Sequence, residues 1–180
     1  MTIRTKPRRS LRENALPVIP PLFDGMMARA GRVEGHPLRR DDLHAMRIAG
    51  KPLRYAMEIF ETSFGKEYAA CFEEVKGLIE LLGDIHDADV AADRLKEFLR
   101  EMCLYNRRVR GRADRMSTGG LRELVRAVRE KRARDFTRLC ETMKRWREEG
   151  FQMRLLAAIG AATAAALPLT PCASPVVATG

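Results

Sequence analysis

Residues 43–60 read Leu43-His44-Ala45-Met46-Arg47-Ile48-Ala49-Gly50-Lys51-Pro52-Leu53-Arg54-Tyr55-Ala56-Met57-Glu58-Ile59-Phe60, and two patterns run through them at once. Leu43, Met46, Leu53, Met57 and Phe60 are spaced by three, four or seven, which is one apolar stripe of a helix. His44, Arg47, Lys51 and Arg54 stand at offsets of 0, 3, 7 and 10. At 100° per residue those offsets span about 80°, so the four form one row along a helix face. Tyr55 lies beside them. A row of cations raises its own energy by mutual repulsion, so it is a poor device for stability alone. It suits a ligand with repeating negative charge. Neutralisation by Asp or Glu from neighbouring helices would explain the same spacing equally well.

The flanking sequence extends the helical pattern. Asp41 and Asp42 suit the start of this helix, where carboxylates cap backbone N–H groups and complement the dipole, and Gly65 follows its end near Ser63. Upstream, Pro17, Pro20 and Pro21 punctuate the approach to a first helix over about 21–33, which Gly31, Gly35 and Pro37 close. Downstream, the apolar residues from Phe72 to Met102 predict a long third helix over about 66–110. Gly111 to Gly120 has the chemistry of a turn and a cap. Leu121, Leu124, Val128, Phe136, Leu139 and Met143 mark a fourth helix over about 121–149, which could continue towards Ile159. The expected fold is therefore all-α: a four-helix, up-and-down bundle with long third and fourth helices. Residues 1–15 read as a disordered basic arm, 16–155 as the helical domain, and 161–180, with Pro168, Pro171 and Pro175, as a disordered Ala/Pro-rich tail.

Composition supports this reading and limits the function. The chain has 180 residues, room for one domain, and aromatic residues make up only 6% of it. Lys and Arg number 33 against 24 Asp and Glu, a formal net charge of +9. Between residues 107 and 147 the balance is 15 basic to 5 acidic. There Arg122, Arg126, Arg129 and Arg132 follow helical spacing and could make a second cationic wall. Cys71, Cys103, Cys140 and Cys172 lie too far apart for a zinc ribbon or a compact disulfide framework, so reduced thiols in a cytosolic protein are expected. No apolar stretch follows the basic start, so a secretory signal is not expected. The apolar run Leu155 to Leu169 is broken by Gly160, Thr163 and Pro168, which argues against a membrane span.

The segment from Leu43 to Phe60 resembles the signature helix of the CHAD family, the conserved-histidine α-helical domain, and in particular its second repeat, L-H-x-L-R-I-x-x-K-R-L-R-Y-A-x-E-x-F. Leu82-Gly83-Asp84-Ile85-His86-Asp87-Ala88-Asp89-Val90 resembles the family's second motif, L-G-x-x-x-D-x-x-V, at the expected distance. The wider likeness runs over about residues 15–155. It implies a helical domain that binds inorganic polyphosphate through a basic surface, with His44, Arg47, Lys51 and Arg54 at the family's basic positions. It also implies a cytoplasmic protein, associated with polyphosphate granules, with no cofactor and no catalytic residue.

Three departures qualify the likeness. Pro52 stands where the family usually has Arg, which removes a cation and should kink the helix or break it near Ile48. The family's full domain holds two four-helix repeats, whereas this length accommodates one, so either the function is altered or two chains pair as a homodimer. His86 stands where the second motif often carries Arg or Asn. Other readings remain beside polyphosphate binding. Nucleic acid would meet the same electrostatics, although few aromatic residues are present to stack bases. A divalent metal held by His44, His86, Asp84, Asp87 and Asp89, or a structural adapter whose cations pair internally, would use the same residues differently.

Overall fold

A computed structural model describes residues 8–165. Among them there are six α-helices and no strand: α1 (Leu11–Met27), α2 (Ala30–Val33), α3 (Arg40–Phe60), α4 (Lys66–Arg108), α5 (Gly119–Glu148) and α6 (Phe151–Ala165). The all-α expectation holds. Five of these helices are long rather than four, because the anticipated fourth helix divides at Gly150, whose φ of 64° is a left-handed conformation that glycine accepts without strain. Trp146, Phe151 and Phe23 stack across that division and bind the start of α6 into the core, with 4.1 Å between the Trp146 and Phe151 ring centroids.

The first helix starts ten residues earlier than the prolines suggested. Ser10 and Glu13 make a reciprocal capping box: the Ser10 hydroxyl accepts from the Glu13 backbone N–H, and the Glu13 carboxylate accepts from the Ser10 N–H. Those hydrogen bonds hold the Glu13 carboxyl below its ordinary range. Pro17, Pro20 and Pro21 all lie inside α1, and Ala15 is fully buried. Residues 11–15 of the expected disordered arm are therefore helical, and residues 1–7 lie outside the described residues. At the other end α6 reaches Ala165, and the remainder of the expected tail also lies outside the described residues.

Helix α4 is the spine. Its 43 residues run about 65 Å at 1.5 Å per residue. One flank packs against α3 and another against α5, while α1 packs on α3 and α6 closes the bundle against α1, α4 and α5. α3 and α4 are antiparallel: the Tyr68 hydroxyl near the start of α4 donates to the Met57 carbonyl near the end of α3, at 2.8 Å. Burial pushes that hydroxyl upward. The buried residues of α4 end at Ala92, so Leu95, Leu99 and Met102, which continue its apolar spacing, are only half-buried. At the start of this last third, Arg94 and Leu95 line a shallow hollow with Leu124 and Val128 of α5.

The apolar stripe of α3 enters the core as its spacing predicts, with Leu43, Met46, Leu53, Met57 and Phe60 all buried. The helix continues unbroken through Pro52, so the expected break near Ile48 does not occur. Met46 and Gly50 on one side of Pro52, and Leu53 and Met57 on the other, are all anchored in the core, which offsets the lost hydrogen bond. Gly50 is the crossing point: a Cβ there would stand 3.0 Å from Ile79 of α4 and 3.0 Å from Met26 of α1. Gly50→Leu should therefore force the three helices apart and lower stability by about 1–3 kcal/mol through overpacking, read as the shift in urea midpoint.

Candidate polyanion-binding groove

The row on α3 takes its place from the helix itself. With the apolar stripe turned inward, Arg47, Lys51 and Arg54 fall at the edge where α3 meets α4, half-buried, and His44 lies exposed at the end of the row. Gly83, the glycine of the second motif, leaves α4 without a side chain opposite Arg47. The Arg47 Nε lies 3.7 Å from where a Gly83 Cβ would be. One end of the groove is closed by His44 and His86, whose ring centroids are 5.0 Å apart. A hollow of about 320 Å³ adjoins the pair, lined by both histidines, Arg40, Asp41, Asp89 and Asp93 among others.

The charges along the row are uncompensated. Among the described residues, no carboxylate lies within 4 Å of the Arg47, Lys51 or Arg54 cation. The Arg54 Nε is buried and has no hydrogen-bond partner, although its guanidinium lies 5.9 Å from the Tyr55 ring centroid. A buried donor without an acceptor costs about 1–3 kcal/mol of desolvation. A ligand oxygen would remove that cost.

The second predicted wall behaves differently. Arg132 is nearly enclosed: its Nε donates to Asp89 Oδ1 at 2.9 Å, and its Nη2 to Asp89 Oδ2 at 3.2 Å and to the Pro37 carbonyl at 2.6 Å. Arg132 therefore ties α5 to α4 and to the loop before α3. Arg126 reaches Glu130 on its own helix at 3.8 Å. Lys131 bridges Asp84 and Asp135, which holds its ammonium above the ordinary range, the Asp135 hydrogen bond being the larger cause. Arg138 pairs with Asp135, Arg145 and Arg154 with Glu74, and Arg147 with Glu34. Arg122 and Arg129 are exposed and take part in no ion pair among the described residues. Further along, a hollow of about 380 Å³ between α4 and α5 is lined by Glu73, Glu74, Glu80 and Asp84 on one side and Arg138 and Arg145 on the other.

Asp89 is also met from the other side by Arg40 Nε at 3.1 Å, and Arg40 Nη1 reaches Asp93 at 2.5 Å. That hydrogen bond raises Arg40 and lowers Asp93 relative to their ordinary values. The acidic residues of the second motif thus diverge: Asp84 faces α5, Asp87 is exposed, and Asp89 is held between two arginines. They do not gather with His44 and His86 around a common point. Sequence reasoning passed over Arg40, whose partners lie on another helix; it brought His44 and His86 together only as ligands of a divalent metal, and the two rings do meet. Cys71, Cys103 and Cys140 are free thiols, Cys71 buried and raised by that burial, while Cys172 lies outside the described residues.

Fold and groove together define a helical module with an open cationic edge between two packed helices. The family description that matches is the CHAD domain, over residues 4–96. That is just over half of the chain, and the chain belongs to the CHAD domain family. The match takes in both motifs and ends before α5, short of the span to about 155 that the resemblance suggested. No curated protein and no solved structure matches the chain. No helix among the described residues is long and apolar enough to cross a membrane.

The contrast between the two arginine sets is measurable. Arg132→Met strips Asp89 of its two-pronged partner and should cost about 2–3 kcal/mol, as for hydrogen bonds to charged groups. Arg126→Met should change stability by no more than about 0.5 kcal/mol, since an exposed i,i+4 pair contributes little. Chemical denaturation of the two variants checks both.

Proposed function

We propose that the chain is a non-catalytic module that binds inorganic polyphosphate along the α3–α4 groove. The observation that supports this most is the row of Arg47, Lys51 and Arg54, half-buried without a carboxylate partner, whereas the other half-buried cations among the described residues, Arg12, Arg29, Lys76, Lys96 and Arg132, are held by backbone carbonyls or carboxylates. Guanidinium groups meet phosphate oxygens with planar, two-pronged hydrogen bonds, and Lys51 adds a point charge between two of them. Successive row positions are three or four residues apart, about 5 Å along the axis, so consecutive phosphates of a flexible chain can meet successive cations. Affinity then comes chiefly from charge neutralisation and counterion release, which needs no reacting group.

Membership of the CHAD family supports the same ligand, and His44 matches its basic signature. Exposed Arg122 and Arg129 lie outside the groove and would act as secondary contacts at most. A location in the cytoplasm, at polyphosphate granules, belongs to the same reading. So does pairing of two chains, since one repeat supplies one cationic row. Nucleic acid is the weaker ligand on this account: of the aromatic residues on α3, only Tyr55 adjoins the row in an exposed position.

Replacing Arg47, Lys51 and Arg54 together by Gln should remove about three phosphate contacts. The slope of log affinity against log salt should become shallower by about two units, taking the single-strand coefficient. The same change at Arg122, Arg126 and Arg129 should alter the slope by less than half as much. Circular dichroism should show both variants folded. If the groove variant binds polyphosphate with the original affinity and slope, the groove is not the site.

A further inference from the structure

Helix α3 carries a third face beyond its core stripe and cationic row. Ile48, Pro52, Tyr55 and Ile59 are all exposed, the two isoleucines and the tyrosine by 47%, 63% and 55% respectively. Their steps of four, three and four hold them within about 60° of one another, in a line roughly a quarter-turn from the cationic row. Large apolar side chains scattered singly over a surface need no explanation, but four in a line along one helix do. Neither α1 nor α4, the two long helices packed on α3, covers this line.

We propose that this stripe is where a second copy of the chain docks, with the two α3 helices antiparallel about a two-fold axis. This rests on the polyphosphate reading for its purpose but not for its geometry. The four positions are symmetric about the midpoint between Leu53 and Arg54. An antiparallel copy therefore sets Ile48 against Ile59 of the second copy and Pro52 against Tyr55, twice over, as a two-fold interface requires.

Charge complementarity favours the same occupant. Lys51 and Glu58 lie on one flank of the stripe, on either side of that midpoint. In the paired arrangement Lys51 of one chain and Glu58 of the other are offset by about 3 Å along the axis. The dimer thus has two opposite-charge approaches across the seam when no polyanion is bound, and a bound polyanion takes Lys51 over. A two-fold axis perpendicular to the plane of the paired helices leaves like flanks on the same side. Both cationic rows then open on one side of the dimer, about one helix spacing apart, 8–10 Å. The single row becomes the floor of a wider basic track.

Three turns of helix against helix fall at the low end of interface sizes, below about 1,200 Å². The pairing is accordingly weak on its own and is promoted by any polyanion that contacts both rows, by mass action.

Sedimentation of the purified chain with and without short-chain polyphosphate tests this. The expected result is a mass that rises with concentration over tens of micromolar, the range for so small an interface, and rises further when polyphosphate is added. The triple variant Ile48→Gln, Tyr55→Gln, Ile59→Gln keeps every cation and removes no core residue. It should stay folded and monomeric with polyphosphate present, and should still bind it, more weakly than the parent. A parent chain that stays monomeric with and without polyphosphate would overturn the proposal, as would a triple variant that dimerises like the parent. Co-sedimentation of the monomeric parent with anionic vesicles, lost in the triple variant, would also overturn it by assigning the stripe to a lipid surface. Dimerisation without any polyphosphate binding would uphold the interface while refuting the polyphosphate reading.

Discussion

Asp89 is almost wholly buried in the middle of α4, and it receives a guanidinium from each side: Arg40 at the start of α3 and Arg132 in the middle of α5. A carboxylate in that position is tolerable only with such partners, because desolvation of an unpaired charge costs several kcal/mol. Arg132 carries the tie onward to the Pro37 carbonyl in the loop that leads into α3. The start of α3, the centre of α4 and the centre of α5 are thereby fixed relative to one another at a point where apolar packing is thinning out. Everything on the α3–α4 edge depends on that register, including the approach of Arg47 to Gly83 and of His44 to His86.

The two flanks of α4 treat positive charge in opposite ways. Towards α5 it offers Glu74, Asp84 and Asp89, and the basic residues that meet them are drawn into pairs. Towards α3 it offers Gly83 and His86, neither of which neutralises a cation, so the row on α3 keeps its charge. Net charge therefore misleads as a guide to the binding surface. The segment richest in arginine contributes heavily to internal pairs, while the shorter row on α3 supplies the field that a polyanion would meet. Surface pairs of this kind add little stability. What sets the α3 row apart is that its unpaired cations are half-buried, while the unpaired arginines between residues 107 and 134 are exposed.

Much of this architecture is legible in the sequence. The stripe from Leu43 to Phe60 was legible because burial on one face imposes a helical period, and every residue in it is buried. The row was legible for the same reason, being the same helix seen from its edge. The differences are local: the Ser10–Glu13 capping box and the buried Ala15, Val18 and Ile19 outweigh the prolines of α1. Pro52 was expected to break a helix that core contacts on both sides keep whole. Arg132 was grouped with its neighbours by spacing, yet its partners come from residues 43 and 95 positions away. Pairings between helices cannot be counted off along one of them.

The central claim is that half-buried charge without a partner, not total charge, locates the ligand. Titration of isotopically labelled protein with short-chain polyphosphate, followed by side-chain nuclear magnetic resonance of the Arg Nε–Hε and His groups, addresses it directly. The account predicts that Arg47 and Arg54 shift first and furthest, together with His44 and His86, while Arg132 and Arg126 stay in place. Leading shifts at Arg122, Arg126 and Arg129 with a silent α3 row would contradict it.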